Sequence, residues 1–262
     1  MSLPLGAASP SNRPPLPTAD TGHASETGDA GGPLPVAGLL LDVGGLLFDD
    51  TLWPRWLWRV LGRLDIHPPF AAFYRCWESD FLARAHIGAC SFEEALEGFL
   101  NTTGLSRPQI SEIVAASTAQ RREFEEHARP LPGVRSTLSR LALGPLALGI
   151  CTNAACTAEQ LAERLLPLDL APRWTAMLTS RDLGCRMTDP QAYPAALAAL
   201  GLSAGEVALV GHDAAELAAA RAAGMFAIAC NHEAGTQADR YLDRFDDLLG
   251  ICPLPARLAV AG

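Results

Sequence analysis

Residues Val36 to Phe48 read VAGLLLDVGGLLF. Five apolar residues, broken only by Gly38, lead straight into Asp42 and a Gly-Gly pair. A short apolar run bounded by glycine has the pattern of a strand buried on both faces. An acid at the carboxyl end of such a strand stands where open α/β sheets bind their ligands. Asp before Gly is also ordinary turn chemistry, so this stretch by itself leaves a turn and a site on equal terms.

Outward from it, the chain divides by pattern. Residues 1–35 are rich in Pro, Gly, Ser, Thr and Ala and carry few large apolar side chains, so they are expected to be a disordered tail. They lack a basic start followed by an apolar core, which argues against a secretory signal. From residue 53 to 129 every stretch is helical: WPRWLWRVLGRL, FAAFYRCWESDFLARA, SFEEALEGFL, SRPQISEIVAASTAQRREFEEH. Ser91 with Glu94 makes a capping box and Ser106 with Pro108 opens another helix. Trp53, Trp56 and Trp58 are expected to pack helices together more than to line a pocket. Strands then alternate with helices: LALGIC (146–151), TAMLT (175–179), VALVG (207–211) and FAIAC (226–230), with a last amphipathic helix expected over Thr236–Leu249 and a tail over 253–262. This alternation predicts an α/β fold, a Rossmann-like parallel sheet with helices on both faces. Its core takes in 36–52 and 130–252, and 53–129 is an inserted all-helical cap.

Composition limits the chemistry. The net charge is −9 and the longest basic cluster is Arg121-Arg122, which argues against nucleic acid or an anionic membrane as partner. No run of about 20 apolar residues suggests a membrane span. Seven scattered cysteines with no C-x-x-C pair read as reduced core residues of a cytoplasmic protein. All 20 basic residues are arginine, so no step can use a lysine ammonium.

Three strands deliver polar groups at their carboxyl ends: Asp42, Thr152-Asn153, and GHDAAE from Gly211 to Glu216. With SRDLGCRMTDPQAY between the last two, this order resembles the haloacid dehalogenase (HAD) superfamily of aspartate-nucleophile hydrolases, from about Val36 to Leu249. The resemblance implies Asp42 as nucleophile, carrying an aspartyl-phosphate intermediate. Thr152 would hydrogen-bond the transferring group, and Asn153, Gly45 and Arg186 would lie at the substrate. It also implies Mg²⁺, held by Asp42, the Gly44 carbonyl and an acid of the fourth motif, for which Asp213 and Glu216 are the candidates.

The departures are as informative. The family's phosphatases carry a second Asp two residues after the first, to protonate the leaving group; here that position is Gly44. Leu46 replaces the usual Thr, and Met187 the lysine of the third motif. Arg186, one position away on an extended segment, would point to the opposite side. Gly211 or His212 holds the place of the usual metal acid. A Schiff-base phosphonate hydrolase is excluded, and a 2-haloacid dehalogenase would lack its lysine. Two expectations stand: a phosphatase-type hydrolase of a small phosphorylated metabolite, or a non-catalytic member that binds a ligand or partner.

Overall fold

In the computed structural model, which describes residues 32–170, 173–232 and 235–252, the apolar run at 38–41 forms the middle of a sheet. The strands are β1 (Gly38–Leu41), β2 (Ala147–Thr152), β3 (Ala176–Thr179), β4 (Val207–Gly211), β5 (Phe226–Cys230) and β6 (Arg240–Leu242). All neighbours are parallel, in the order β3-β2-β1-β4-β5-β6. The chain therefore moves outward from β1 on one side, then returns to β1 and moves outward on the other. Such a reversal opens a crevice at the carboxyl edge. Leu41 pairs with both Ile150 and Val210, so Asp42 emerges level with the ends of β2 and β4.

Side chains alternate across a strand, and β1 uses both faces. Leu39 and Leu41 pack with Val134 and Leu138 of α6 (Val134–Leu141) and Leu161 and Leu165 of α7 (Ala158–Leu165). Leu40 faces the other way, toward Tyr193 and Ala196 of α9 (Tyr193–Leu200) and Leu217 and Ala220 of α10 (Ala214–Ala222). All three leucines are fully buried, and each such side chain contributes on the order of 1.5–3 kcal/mol.

The connection from β1 to β2 is helical, as its pattern predicts: α1 (Leu52–Arg63), α2 (Phe70–Cys76), a π-helical segment (Trp77–Leu82), α3 (Ala83–His86), α4 (Phe92–Asn101) and α5 (Arg107–His127). Ser91 and Glu94 form the expected capping box before α4, at 3.0 and 2.7 Å. The helices share their own apolar core. Trp53 lies within it, its ring 5.2 Å from that of Trp77 and 4.9 Å from that of Phe92, and Trp58 donates to the Pro68 carbonyl at 2.8 Å.

Two expectations need correction. The last helix over Thr236–Leu249 does not form. Arg240–Leu242 instead pairs with Ile228–Cys230 as β6, and only a 3₁₀ turn and the short α11 (Leu248–Ile251) follow. The exposed edge of β5 offers backbone partners that a polar segment with weak helical periodicity accepts. Order also begins before residue 36: Leu34 is buried and donates from its N–H to the Ile251 carbonyl at 2.8 Å. The rest of the expected N-terminal tail, residues 1–31, and the C-terminal tail, 253–262, lie outside the described residues. The seven cysteines are free thiols, four of them buried. Among the described residues no helix is long and apolar enough to cross a membrane.

Candidate active site

Asp42 ends β1 and is 5% exposed. Its N–H donates to the Val210 carbonyl at 2.9 Å, which continues the sheet ladder and aims the side chain along the carboxyl edge. Thr152, at the end of β2, donates from Oγ1 to Asp42 Oδ1 at 2.6 Å. The next residue ties three motifs together. Asn153 Oδ1 accepts from the N–H of Met187 at 3.1 Å, and its Nδ2 donates to Glu216 Oε1 at 2.6 Å. Tyr193, fully buried, places its hydroxyl 2.8 Å from the Met187 carbonyl and 3.1 Å from that of Glu216. Burial, then the charges of Asp42 and Asp213, raises Glu216 well above the ordinary carboxyl range.

His212 meets the other oxygen of Asp42, with Nδ1 3.2 Å from Oδ2. The contact is an ion pair more than an aligned hydrogen bond. Burial opposes charge on the ring, yet the contact with Asp42 and the charges of Asp42, Asp50 and Glu216 prevail and push its pKa up to about 9. Gly45 makes room for the ring. Its φ is +65°, and a Cβ there would sit 3.2 Å from the imidazole Cε1 and Nε2. The Gly45 amide is taken by the Phe48 carbonyl at 3.1 Å and its own carbonyl by Asn231 Nδ2 at 3.1 Å. It therefore seats His212 and does not offer an N–H to a substrate.

The four expected metal ligands are not assembled into one cage. Asp213 Oδ1 accepts from the N–H groups of Ala215 and Glu216 at 2.8 and 2.9 Å, capping α10. Glu216 is engaged by Asn153, and His212 covers Asp42 Oδ2. Among the described residues no three His, Cys, Asp or Glu side chains could hold a metal ion together. A magnesium ion fills about six oxygen positions, several of them with water, around one or two carboxylates; here the Asp42 oxygen left open by Thr152 faces the His212 ring, and the place beside it does not fit that ion.

Position 187 is no longer polar. Met187 is 1% exposed and its sulfur accepts from Cys151 Sγ at 3.1 Å. The segment is a turn and not extended, the Asp189 N–H donating to the Arg186 carbonyl at 3.0 Å, so Arg186 does not point to the opposite side as expected but lies among the groups of the cleft. Its charge acts on Glu78 and on His86, and its Nε is buried with no partner among the described residues.

Several site residues escape sequence reasoning. Asp50 is one: the turn before α1 is made by its neighbour Asp49, which accepts from the Thr51 N–H and hydroxyl at 2.9 and 2.6 Å. The carboxylate of Asp50 folds back over Gly44 and occupies the space that any side chain at 44 would need. Crowding by protein, reinforced by Asp42, pushes Asp50 up to about 6, although it opens onto the cleft. Glu78, on the π-helical segment, is pushed up to about 7 by burial and by Asp50. His86 is buried and held neutral, its pKa lowered to about 4 by burial and Arg186. The one advance signal for Asp50 is the Asp-Asp pair at positions 49 and 50, shortly past the first acid. π-helical segments do occur often at functional sites, but the sequence around Glu78 reads as plain helix.

Comparison with known proteins agrees with this arrangement. A model of the haloacid dehalogenase-like hydrolases matches residues 36–224. No curated protein matches the chain. Among solved structures, a 2-haloacid dehalogenase of Pseudomonas syringae is 21% identical, over 82% of this chain and 97% of its own, with a TM-score of 0.55. A predicted phosphoglycolate phosphatase of Haemophilus somnus is 17% identical over 82% and 97%, with a TM-score of 0.61. A HAD-type hydrolase of Bacillus subtilis with magnesium bound is 18% identical over 81% and 96%, with a TM-score of 0.63. The parallel sheet with a buried aspartate at the end of its central strand, and a family match over most of the chain, place this protein among the haloacid dehalogenase-like hydrolases.

Proposed function

We propose that the protein hydrolyses a phosphate ester of a small molecule, with Asp42 as nucleophile. The observation that carries this reading is the Asp42–Thr152 pair. A buried carboxylate at the end of the central strand has one oxygen fixed at 2.6 Å by a hydroxyl, so its direction of attack is set before substrate arrives. Arg186, whose Nε has no partner among the described residues, and His212 supply positive charge for a bound anion. The helical block 53–129 acts as the cap that selects the rest of the substrate.

In the first step an oxygen of Asp42 bonds to phosphorus as the bond to the leaving oxygen breaks, and Asp50 gives that oxygen its proton. In the second step water attacks phosphorus, Asp50 takes a proton from it, and the acyl-phosphate bond breaks to return Asp42 and free phosphate. Asp50 is suited to both roles because its pKa of about 6 lies close to neutral pH. It reaches from position 50 into the space left at Gly44.

The test is phosphate release from a panel of sugar, acyl and 2-hydroxyacid phosphates, with chloride release from 2-chloropropionate beside it. We expect phosphate turnover that Asp42→Asn abolishes. Turnover that persists in Asp42→Asn, or chloride release alone, rejects this reading. A second reading, a non-catalytic anion-binding protein, is favoured by the contact of His212 with the Asp42 oxygen that Thr152 leaves open. Binding of phosphate without turnover of any substrate decides for it.

A further inference from the structure

Both oxygens of Asp42 have partners in this fold. Thr152 holds Oδ1 at 2.6 Å and the His212 ring lies 3.2 Å from Oδ2. The backbone is shaped around that ring. Gly45 has a positive φ of +65°, and a Cβ there would press on Cε1 and Nε2 at 3.2 Å. A methyl group at 45 would therefore lift the imidazole off the site. Of the fourth-motif acids, Asp213 caps α10 through Oδ1 and Glu216 accepts from Asn153 through Oε1, and the side chain that meets Asp42 from this motif is an imidazole, not an oxygen donor. What surrounds the ring is negative: Asp42, Asp50 and Glu216.

We propose that the His212 ring, seated by Gly45 against the Asp42 oxygen that Thr152 leaves open, stands where a divalent metal would, so that an anion binds beside Asp42 without magnesium. The proposal rests on the phosphoryl reading above for the nature of the anion. It draws on the placement of His212 for the rest. An imidazole offers at most two N–H donors, against about six coordination positions for magnesium. It can therefore hold the open oxygen of Asp42 while the Arg186 guanidinium supplies positive charge for an incoming phosphoryl group. It cannot bridge several oxygens as a metal does. The ring is also fixed to the chain, so Asp42 keeps this partner at any concentration of divalent ions.

The experiment is isothermal titration calorimetry on the full chain. MgCl₂ is titrated into wild type, Asp42→Asn, His212→Asp and His212→Asn, and inorganic phosphate into each in EDTA and again in excess MgCl₂. We expect no magnesium uptake by wild type, and phosphate affinity that differs by less than about twofold between the two buffers. His212→Asp, which puts an oxygen ligand beside Asp42, gains magnesium uptake and binds phosphate about tenfold or more tightly with magnesium than without. His212→Asn gains no magnesium and binds phosphate about tenfold more weakly than wild type. Magnesium uptake by wild type that Asp42→Asn removes overturns the proposal, as does an increase of about tenfold in wild-type phosphate affinity on adding magnesium. If His212→Asp does not fold, the wild-type and Asp42→Asn titrations still decide. Absence of phosphate binding in both buffers rejects the phosphoryl reading instead. The magnesium titrations then judge His212 by themselves: uptake by His212→Asp but not by wild type supports it, and uptake by wild type overturns it.

Discussion

A glycine at position 44 leaves space beside the nucleophile, and Asp50 fills it. Replacing Asp50 with Asn is expected to lower kcat for alkyl phosphates by roughly 10²- to 10⁴-fold, the usual worth of a general acid. Acyl phosphates, whose leaving groups need no proton, should lose much less. Gly44→Ala drives a Cβ into the Asp50 carboxylate and should reproduce the loss, although Asp50 itself is intact. The pH profile separates this role from a structural one. Asp50 must be protonated to donate, so kcat/KM falls as pH rises through about 6, and the Asp50→Asn variant loses that limb. Asp42 and Thr152 are readable from sequence because each ends an apolar strand and inherits its position from the sheet. Asp50 and Glu78 are not, because each reaches the cleft through a loop or a π-helical segment whose path depends on contacts distant in sequence.

At the scale of elements, the cap and the sheet edge behave differently. The π-helical segment Trp77–Leu82 presents Glu78 to the cleft and is anchored by Trp77, which is fully buried with its ring 5.5 Å from that of Phe92 and 5.9 Å from that of Phe99. Trp77→Ala is expected to destabilise the protein by about 3–5 kcal/mol in denaturant unfolding, the range for removing a buried aromatic. The same variant should weaken substrate binding through Glu78 while phosphate binding at Arg186 and His212 persists. Apolar periodicity shows that this block is helical; it cannot show that one turn is wound with an extra residue. The edge of the sheet fails in the opposite way. Arg240–Leu242 has no strand pattern of its own, and becomes a strand because β5 presents it with free backbone groups. A segment of weak propensity follows whichever partner is nearest, and that partner lies outside its local sequence.

For the whole molecule, the site sets how stability depends on pH. His212 has its pKa raised from 6.5 to about 9, so its contribution is fully present below pH 6.5 and is lost as pH rises through 9. Asp50 and Glu78, raised to about 6 and about 7, lose theirs in the same direction as pH rises through those values. His86, lowered to about 4, acts oppositely and loses its contribution only as pH falls through that value. Thermal unfolding should therefore show Tm falling from about pH 6 to about pH 9, and His212→Asn should flatten the part above pH 6.5.

The strand order carries one more consequence, for how the site comes into being. β1 is made first and sits in the middle, with Gly38 opposite both Ala147 and Val207. During synthesis the strand bearing Asp42 waits for partners that emerge much later, while the cap helices, built on local contacts, can close at once. Contacts this distant in sequence are the slow ones in folding. A chain interrupted before β4 has a nucleophile but no floor to hold it, and activity in refolding should return only with the last pairing, β1 against β4.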